Sequence, residues 1–92
     1  MRFEFKPSFE RSIKQLKPLE KTEVKEVASK LIKILSKDRQ IHRGLGLKRL
    51  TGNFWEARKG IKARILFRGQ GDLIEFVLAG SHDDIKRFLR NF

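Results

Sequence analysis

The chain has 92 residues, with 22 lysines and arginines against 11 aspartates and glutamates, for a formal net charge of +11. That length makes one small domain, and the absence of cysteine excludes disulfides and thiolate metal sites. No apolar run reaches the roughly 20 residues of a membrane span, and Met1-Arg2-Phe3-Glu4 is no signal peptide, so a soluble cytoplasmic protein is expected.

The charge is unevenly spread. Residues 1–38 carry ten basic and six acidic side chains, residues 39–68 nine and one, and residues 69–92 three and four. A thermophile-like surface mixes both signs throughout. Excess concentrated in the middle third points to a polyanionic partner: nucleic acid, an acidic protein, or both.

Taken in order, Arg2–Lys6 alternates, with Phe3 and Phe5 on one face, and predicts a short strand. Pro7-Ser8 opens a helix with Ser8 as N-cap and Phe9, Ile13 and Leu16 as its apolar stripe. Lys17-Pro18 ends it, because proline disfavours helical geometry in the residue before it. A second helix over Leu19–Ser36 follows from Val24, Val27, Ala28, Leu31, Ile32 and Leu35 at three- and four-residue steps. Its early glutamates and late lysines suit the helix dipole. With a short link, the two helices should form an antiparallel hairpin lying on a sheet.

Lys37–Gly46 reads as a loop carrying Arg39, His42 and Arg43. Its Gly44-Leu45-Gly46 is no phosphate loop, because no Gly-Lys-Ser/Thr follows at the required spacing. Leu47–Leu50 is a short strand exposing Lys48 or Arg49, and Thr51-Gly52-Asn53 is a turn. Phe54–Lys59 and Lys62–Arg68 are basic strands joined by a turn at Gly60. In the second of them Ala63, Ile65 and Phe67 share one face; Lys62, Arg64, Leu66 and Arg68 share the other. Packing does not need arginines repeated along one face, and each costs desolvation if covered without a partner. The row suggests a surface for an anion, with a single carboxylate, Glu56, among the cations.

After a turn at Gly69-Gln70-Gly71-Asp72, Leu73–Ala79 is apolar apart from Glu75 and should be an interior strand. Gly80 breaks it. Ser81 then caps a final helix, with Asp84 three residues on and Ile85, Phe88, Leu89 and Phe92 as its stripe. The order is β-α-α-β-β-β-β-α, an α+β domain whose later strands form an antiparallel meander.

At this point the chain resembles the RelE/ParE superfamily of toxins from type II toxin–antitoxin systems. The resemblance runs over residues 1–92, as a single toxin domain. It rests on Leu47-Lys48-Arg49-Leu50-Thr51-Gly52, Phe54-Trp55-Glu56-Ala57-Arg58, Ala63-Arg64-Ile65-Leu66-Phe67 and Gly80-Ser81-His82-Asp83-Asp84, in that order and spacing. It implies a RelE/ParE-like fold: an N-terminal strand and an antiparallel helical hairpin packed on an antiparallel sheet, with a C-terminal helix. It implies one of two activities. The RelE-like branch cuts mRNA on the ribosome without a metal or other cofactor, and this branch is favoured. The ParE-like branch inhibits DNA gyrase and is no nuclease. Either is neutralised by an antitoxin with which it forms a hetero-oligomer.

Metal-free RNA cleavage needs a base for the 2′-hydroxyl proton, an acid for the leaving 5′-oxygen and cations for the charge developing on the phosphate. Arg64 falls on the family's recurrent arginine, and its planar fork suits two phosphate oxygens. The competing reading is a salt bridge to Glu56 or Glu75. Glu56 is a base candidate, or else a structural partner for Arg58 or Arg64. His82 is the acid–base candidate by residue type. Ser81-His82-Asp83 is not a triad, because consecutive residues at a helix start cannot face one another in a relay. Lys48, Arg49, Arg58, Lys62, Arg68 and Arg43 are expected to bind the RNA backbone. Phe54 and Trp55 lie on opposite strand faces, so one should be core while the other is free to stack on a base. Tyrosine, which several RelE-like nucleases use near the chain's end, is absent.

Overall fold

A computed structural model describes residues 1–37, 45–58, 60 and 63–92. Arg39, His42, Arg43 and Lys62 lie outside the described residues. The elements are β1 (Arg2–Phe5), α1 (Pro7–Lys14), α2 (Pro18–Lys37), β2 (Gly46–Thr51), β3 (Phe54–Arg58), β4 (Arg64–Gln70), β5 (Leu73–Gly80) and α3 (His82–Arg90). The sheet order is β1-β5-β4-β3-β2. The four later strands form the expected antiparallel meander. The N-terminal strand joins β5 in parallel, so the five-stranded sheet is mixed. The helical hairpin that follows β1 carries the chain across the sheet from that edge to β2 at the other, and the meander then returns to bring β5 beside β1.

The hairpin and α3 cover opposite faces of the sheet. On the hairpin side the core joins Phe9 of α1 and Val24, Val27, Leu31 and Ile34 of α2 to Ile65, Phe67 and Phe76 of the sheet. Phe76 is fully buried, and the rings of Phe3, Phe5 and Phe9 all lie within 6.3 Å of its centroid. Each such ring pair adds about 0.5–1.5 kcal/mol beyond burial. On the other side Ile85 of α3 packs with Phe54, Leu66 and Val77, flanked by Phe88 and Leu89. Trp55 packs against the hairpin core and stacks with Phe67, while Phe54 lies in the α3 core. As expected, the two lie on opposite faces and one of them, Phe54, is core; Trp55 is partly buried against the other core.

The start of α1 also differs from expectation. Lys6 occupies the N-cap, without a side-chain cap, and Pro7 starts the helix. Proline fits there because its missing N–H would have had no intrahelical acceptor. Ser8, one residue inside, instead donates its hydroxyl to the carbonyl of Val77 and ties α1 to the sheet. No helix among the described residues is long and apolar enough to cross a membrane.

Candidate active site on the basic face of the sheet

Strand register decides which side chains meet. Lys48 lies opposite Glu56, and Arg58 opposite Arg64, so these four share the face that carries α3. Arg49 lies opposite Trp55, on the hairpin face, and its Nε donates to the carbonyl of Gly52 at 3.0 Å. It is thereby separated from the others. Lys48 and Arg58 are exposed at the rim. Like charges directly opposite are destabilising, and the Arg58–Arg64 pair is such a case, relieved by Glu56 beside Arg64.

Arg64 Nη1 donates to Glu56 Oε1 at 3.3 Å and to Oε2 at 3.2 Å. The same nitrogen lies 3.0 Å from Nδ1 of His82. Glu56 is buried, with 5% of its side chain exposed, whereas Arg64 shows 15% and His82 50%. The three residues flagged in the sequence as catalytic candidates are thus brought into one contact set, layered from carboxylate below to imidazole above. Arginine has only donors. Nδ1 of a neutral His82 must therefore accept, which leaves the ring proton on Nε2, the nitrogen turned away from Arg64. Nε of Arg64 is buried without a hydrogen-bond partner among the described residues.

His82 is placed by what precedes it. Ser81 is the N-cap of α3: its hydroxyl accepts from the Asp84 N–H at 3.1 Å, and Asp84 Oδ2 accepts from the Ser81 N–H at 2.9 Å. The Ser81 N–H is the main reason the Asp84 carboxyl is held below the usual carboxylate range; burial opposes this, and the Ser81 hydroxyl and Arg87 add to it. Gly80 pairs with Arg64 across β4 and β5, and a Cβ there would lie 2.8 Å from Asp84 Oδ2. The sequence marks Gly80 only as a strand breaker. Its position directly before a Ser-x-x-Asp cap was the available signal for this closer role.

Arg68 is not part of this set. Its Nε donates to Glu75 Oε1 at 2.9 Å and its Nη2 lies 2.8 Å from the same oxygen. Glu75, weighed in the sequence as a partner for Arg64, belongs to Arg68 and Lys6 instead. Burial works against ionisation of Glu75, yet the hydrogen bonds and charges of Arg68 and then Lys6 hold its carboxyl below the usual range. Among the described residues no three His, Cys, Asp or Glu side chains gather where they could hold a metal ion.

Neither a protein-family model nor a curated protein matches the sequence. Solved structures do match. A copper-bound mutant toxin from Helicobacter pylori is 19% identical, with a TM-score of 0.72 over 92% of this chain and 98% of that one. The toxin of the RelB-RelE antitoxin-toxin complex from Methanococcus jannaschii is 17% identical, with a TM-score of 0.70 over 92% and 96%. YafQ from E. coli is 12% identical, with a TM-score of 0.70 over 92% and 98%. With nearly the whole of each chain superposed, the fold of this protein is that of the RelE-like toxins.

Proposed function

We propose that the protein is the toxin of a type II toxin–antitoxin system and acts in the cytoplasm as a ribosome-dependent, metal-free mRNA endoribonuclease. The observation that carries this reading is the convergence of Glu56, Arg64 and His82 beside the exposed cations Lys48 and Arg58. A cation, a carboxylate and an imidazole within reach of one point are the parts that cleavage of an RNA phosphodiester needs.

In the proposed reaction the 2′-oxygen attacks phosphorus while the P–O5′ bond breaks, leaving a 2′,3′-cyclic phosphate and a 5′-hydroxyl. Arg64 binds the phosphate oxygens. The phosphate competes with Glu56 for the guanidinium, and the carboxylate so released takes the 2′-hydroxyl proton. Drawn to the phosphate, Arg64 releases Nδ1 of His82, which takes up a proton from solvent, and the imidazolium so formed gives its Nε2 proton to the leaving oxygen. Glu56 and His82 thus divide proton transfer. Lys48 and Arg58, with Arg43 and Lys62 from outside the described residues, supply the field that holds the RNA backbone.

The partner that silences the toxin is an antitoxin with an acidic binding segment, in a hetero-oligomer. The +11 charge supports this, as do the neighbours described as antitoxin-toxin complexes from Methanococcus jannaschii and as DinJ-YafQ from E. coli. Primer extension on a translated message, with purified protein and ribosomes, tests the reading. Cuts within the decoding-site codon that vanish with Arg64→Ala are expected. Intact messages in the presence of active protein and ribosomes would overturn it and direct the search to DNA gyrase.

A further inference from the structure

β4 carries two arginines four residues apart, and both hold a buried glutamate on a neighbouring strand. Arg64 holds Glu56 on β3, and Arg68 holds Glu75 on β5. Each also meets one end of the α3 segment. Arg64 meets His82 at its start. Arg68 meets Phe92 just past its end, 5.8 Å from the ring centroid, and Phe54 at 5.4 Å. Phe92 stands edge-on to Phe54 at 5.0 Å and against Phe88 at 5.9 Å. We propose that Arg68, braced by Glu75 and covered by Phe92, is a positioning unit that sets the tilt of α3 and so the place of His82 over Arg64.

The lever argument is simple. Ile85 is the one fully buried residue of α3, 1% exposed, and acts as its pivot on the sheet, with Phe88 and Leu89 partly buried against the same core on the side toward Phe92. His82 lies three residues before it and Phe92 seven after, or roughly 4.5 and 10 Å at 1.5 Å per residue. Letting the far end drift by about 2 Å swings His82 by about 1 Å, a displacement that can cost a reaction of this kind up to about a hundredfold in rate. The capping box fixes the helix start internally, but it does not fix the helix on the sheet. Arg68 suits the anchoring task because two of its nitrogens grip one buried carboxylate, so it is immobile before Phe92 arrives. Phe92 itself is 72% exposed, so its removal leaves the core intact.

The effect on cleavage rests on the function proposed above; the effect on His82 does not. Two readouts keep them apart: single-turnover cleavage of a ribosome-bound message, and the ring nitrogen resonances of His82. Phe92→Ala is expected to slow cleavage about tenfold without changing the half-saturating ribosome concentration, and to shift the Nδ1 resonance as the Arg64 contact loosens. Phe92→Trp, which keeps a ring over Arg68, should restore both. The double variant Arg68→Gln/Glu75→Gln, which removes both charges of the anchor together, should act as Phe92→Ala does. A Phe92→Ala protein with unmoved His82 resonances overturns the proposal, whatever its rate. If the wild type fails to cleave any message, the nuclease reading falls while the resonance arm still decides the positioning role.

Discussion

Arg64 reaches both carboxylate oxygens of Glu56 through one nitrogen, Nη1, while its Nε is buried without a partner among the described residues. Arg68, four residues on, uses two nitrogens on its glutamate. An arginine placed for folding alone has no reason to leave a donor buried and unpaired at a cost of about 1–3 kcal/mol. The incomplete pairing of Arg64 is consistent with the anion-binding role proposed for it. Arg64→Ala is therefore expected to reduce single-turnover cleavage by a hundredfold or more, on the order of the loss of one transition-state donor. Leaving the buried Glu56 carboxylate unpaired should lower stability by about 3–5 kcal/mol, against the roughly 5–15 kcal/mol typical of a domain, so the rate is read on protein shown to be folded. Arg64→Lys should not restore the rate, because an ammonium lacks the fork. Wild-type cleavage rates in either the Arg64→Lys or the Arg64→Ala protein would refute the role.

His82 is half exposed, and its hydrogen-bonding contacts are with the site rather than the core. His82→Gln should leave the urea midpoint nearly unchanged, within about 0.5 kcal/mol, as for most surface substitutions. Cleavage should fall by about a hundredfold or more and lose one limb of its pH–rate profile. An unaltered profile in the variant would assign proton transfer elsewhere.

Two carboxylates outside the site, the buried Glu75 and the partly covered Asp84, are expected to contribute to acid stability. Glu75 and Asp84 both have carboxyls held below their ordinary range in the folded protein. The unfolded chain then binds protons at a higher pH than the folded one, so the stabilisation is full above the ordinary carboxylate range, falls within it, and is lost as pH drops through the depressed folded-state values. Urea unfolding between roughly pH 5 and pH 2 should show wild type losing stability more steeply than Glu75→Gln or Asp84→Asn. Equal steepness in all three would show that neither carboxylate is linked to folding.

Gly80 and Asp84 can be tested as a pair. A Cβ at Gly80 would lie 2.8 Å from Asp84 Oδ2 and 3.0 Å from Asp84 Cβ. Gly80→Ala should push Asp84 out of the capping box, at a cost of about 0.5–2 kcal/mol, and slow cleavage by moving His82. If the collision is with the carboxylate, Gly80→Ala costs less in an Asp84→Ala background, where only the 3.0 Å contact to Cβ remains, than in the wild type. Additive losses in that double-mutant cycle would count against the collision.

The two faces of β2 make a prediction about salt. Lys48 lies on the site face and Arg49 on the opposite one, next to each other in sequence. If RNA follows the site face, Lys48→Ala and Arg58→Ala should each reduce the slope of log affinity against log salt for single-stranded RNA by about 0.7. Arg49→Ala should leave the slope unchanged. A drop with Arg49→Ala equal to that with Lys48→Ala would mean that the RNA does not discriminate the faces.

Much of this was legible in the residues themselves. Alternation read over Phe54–Lys59 and Lys62–Arg68, the apolar steps of α2 and the Ser81–Asp84 box are local signals with a period or a spacing, and the described residues form β3, β4, α2 and the cap of α3 there, although β4 runs on to Gln70, into the expected turn. The charge count and the motif order pointed to a polyanion and to the RelE-like fold. What local pattern cannot carry is pairing across the chain. β1 joins β5 in parallel, 71 positions away, and nothing within Arg2–Phe5 names that partner. Val77 is an extra residue against β4, since Leu78 pairs with Leu66 but Phe76 with Phe67; the bulge turns Phe76 and Ala79 toward the same core, three residues apart, where strict alternation would separate them. Arg64 and Arg68 share one face of β4, yet register and the reach of neighbouring strands gave Arg68 to Glu75 and a ring, and left Arg64 with Glu56, His82 and a donor unpaired among the described residues. Charge and residue type were properties of the chain; which buried carboxylate each arginine of β4 pairs with was decided by the register of the strands on either side.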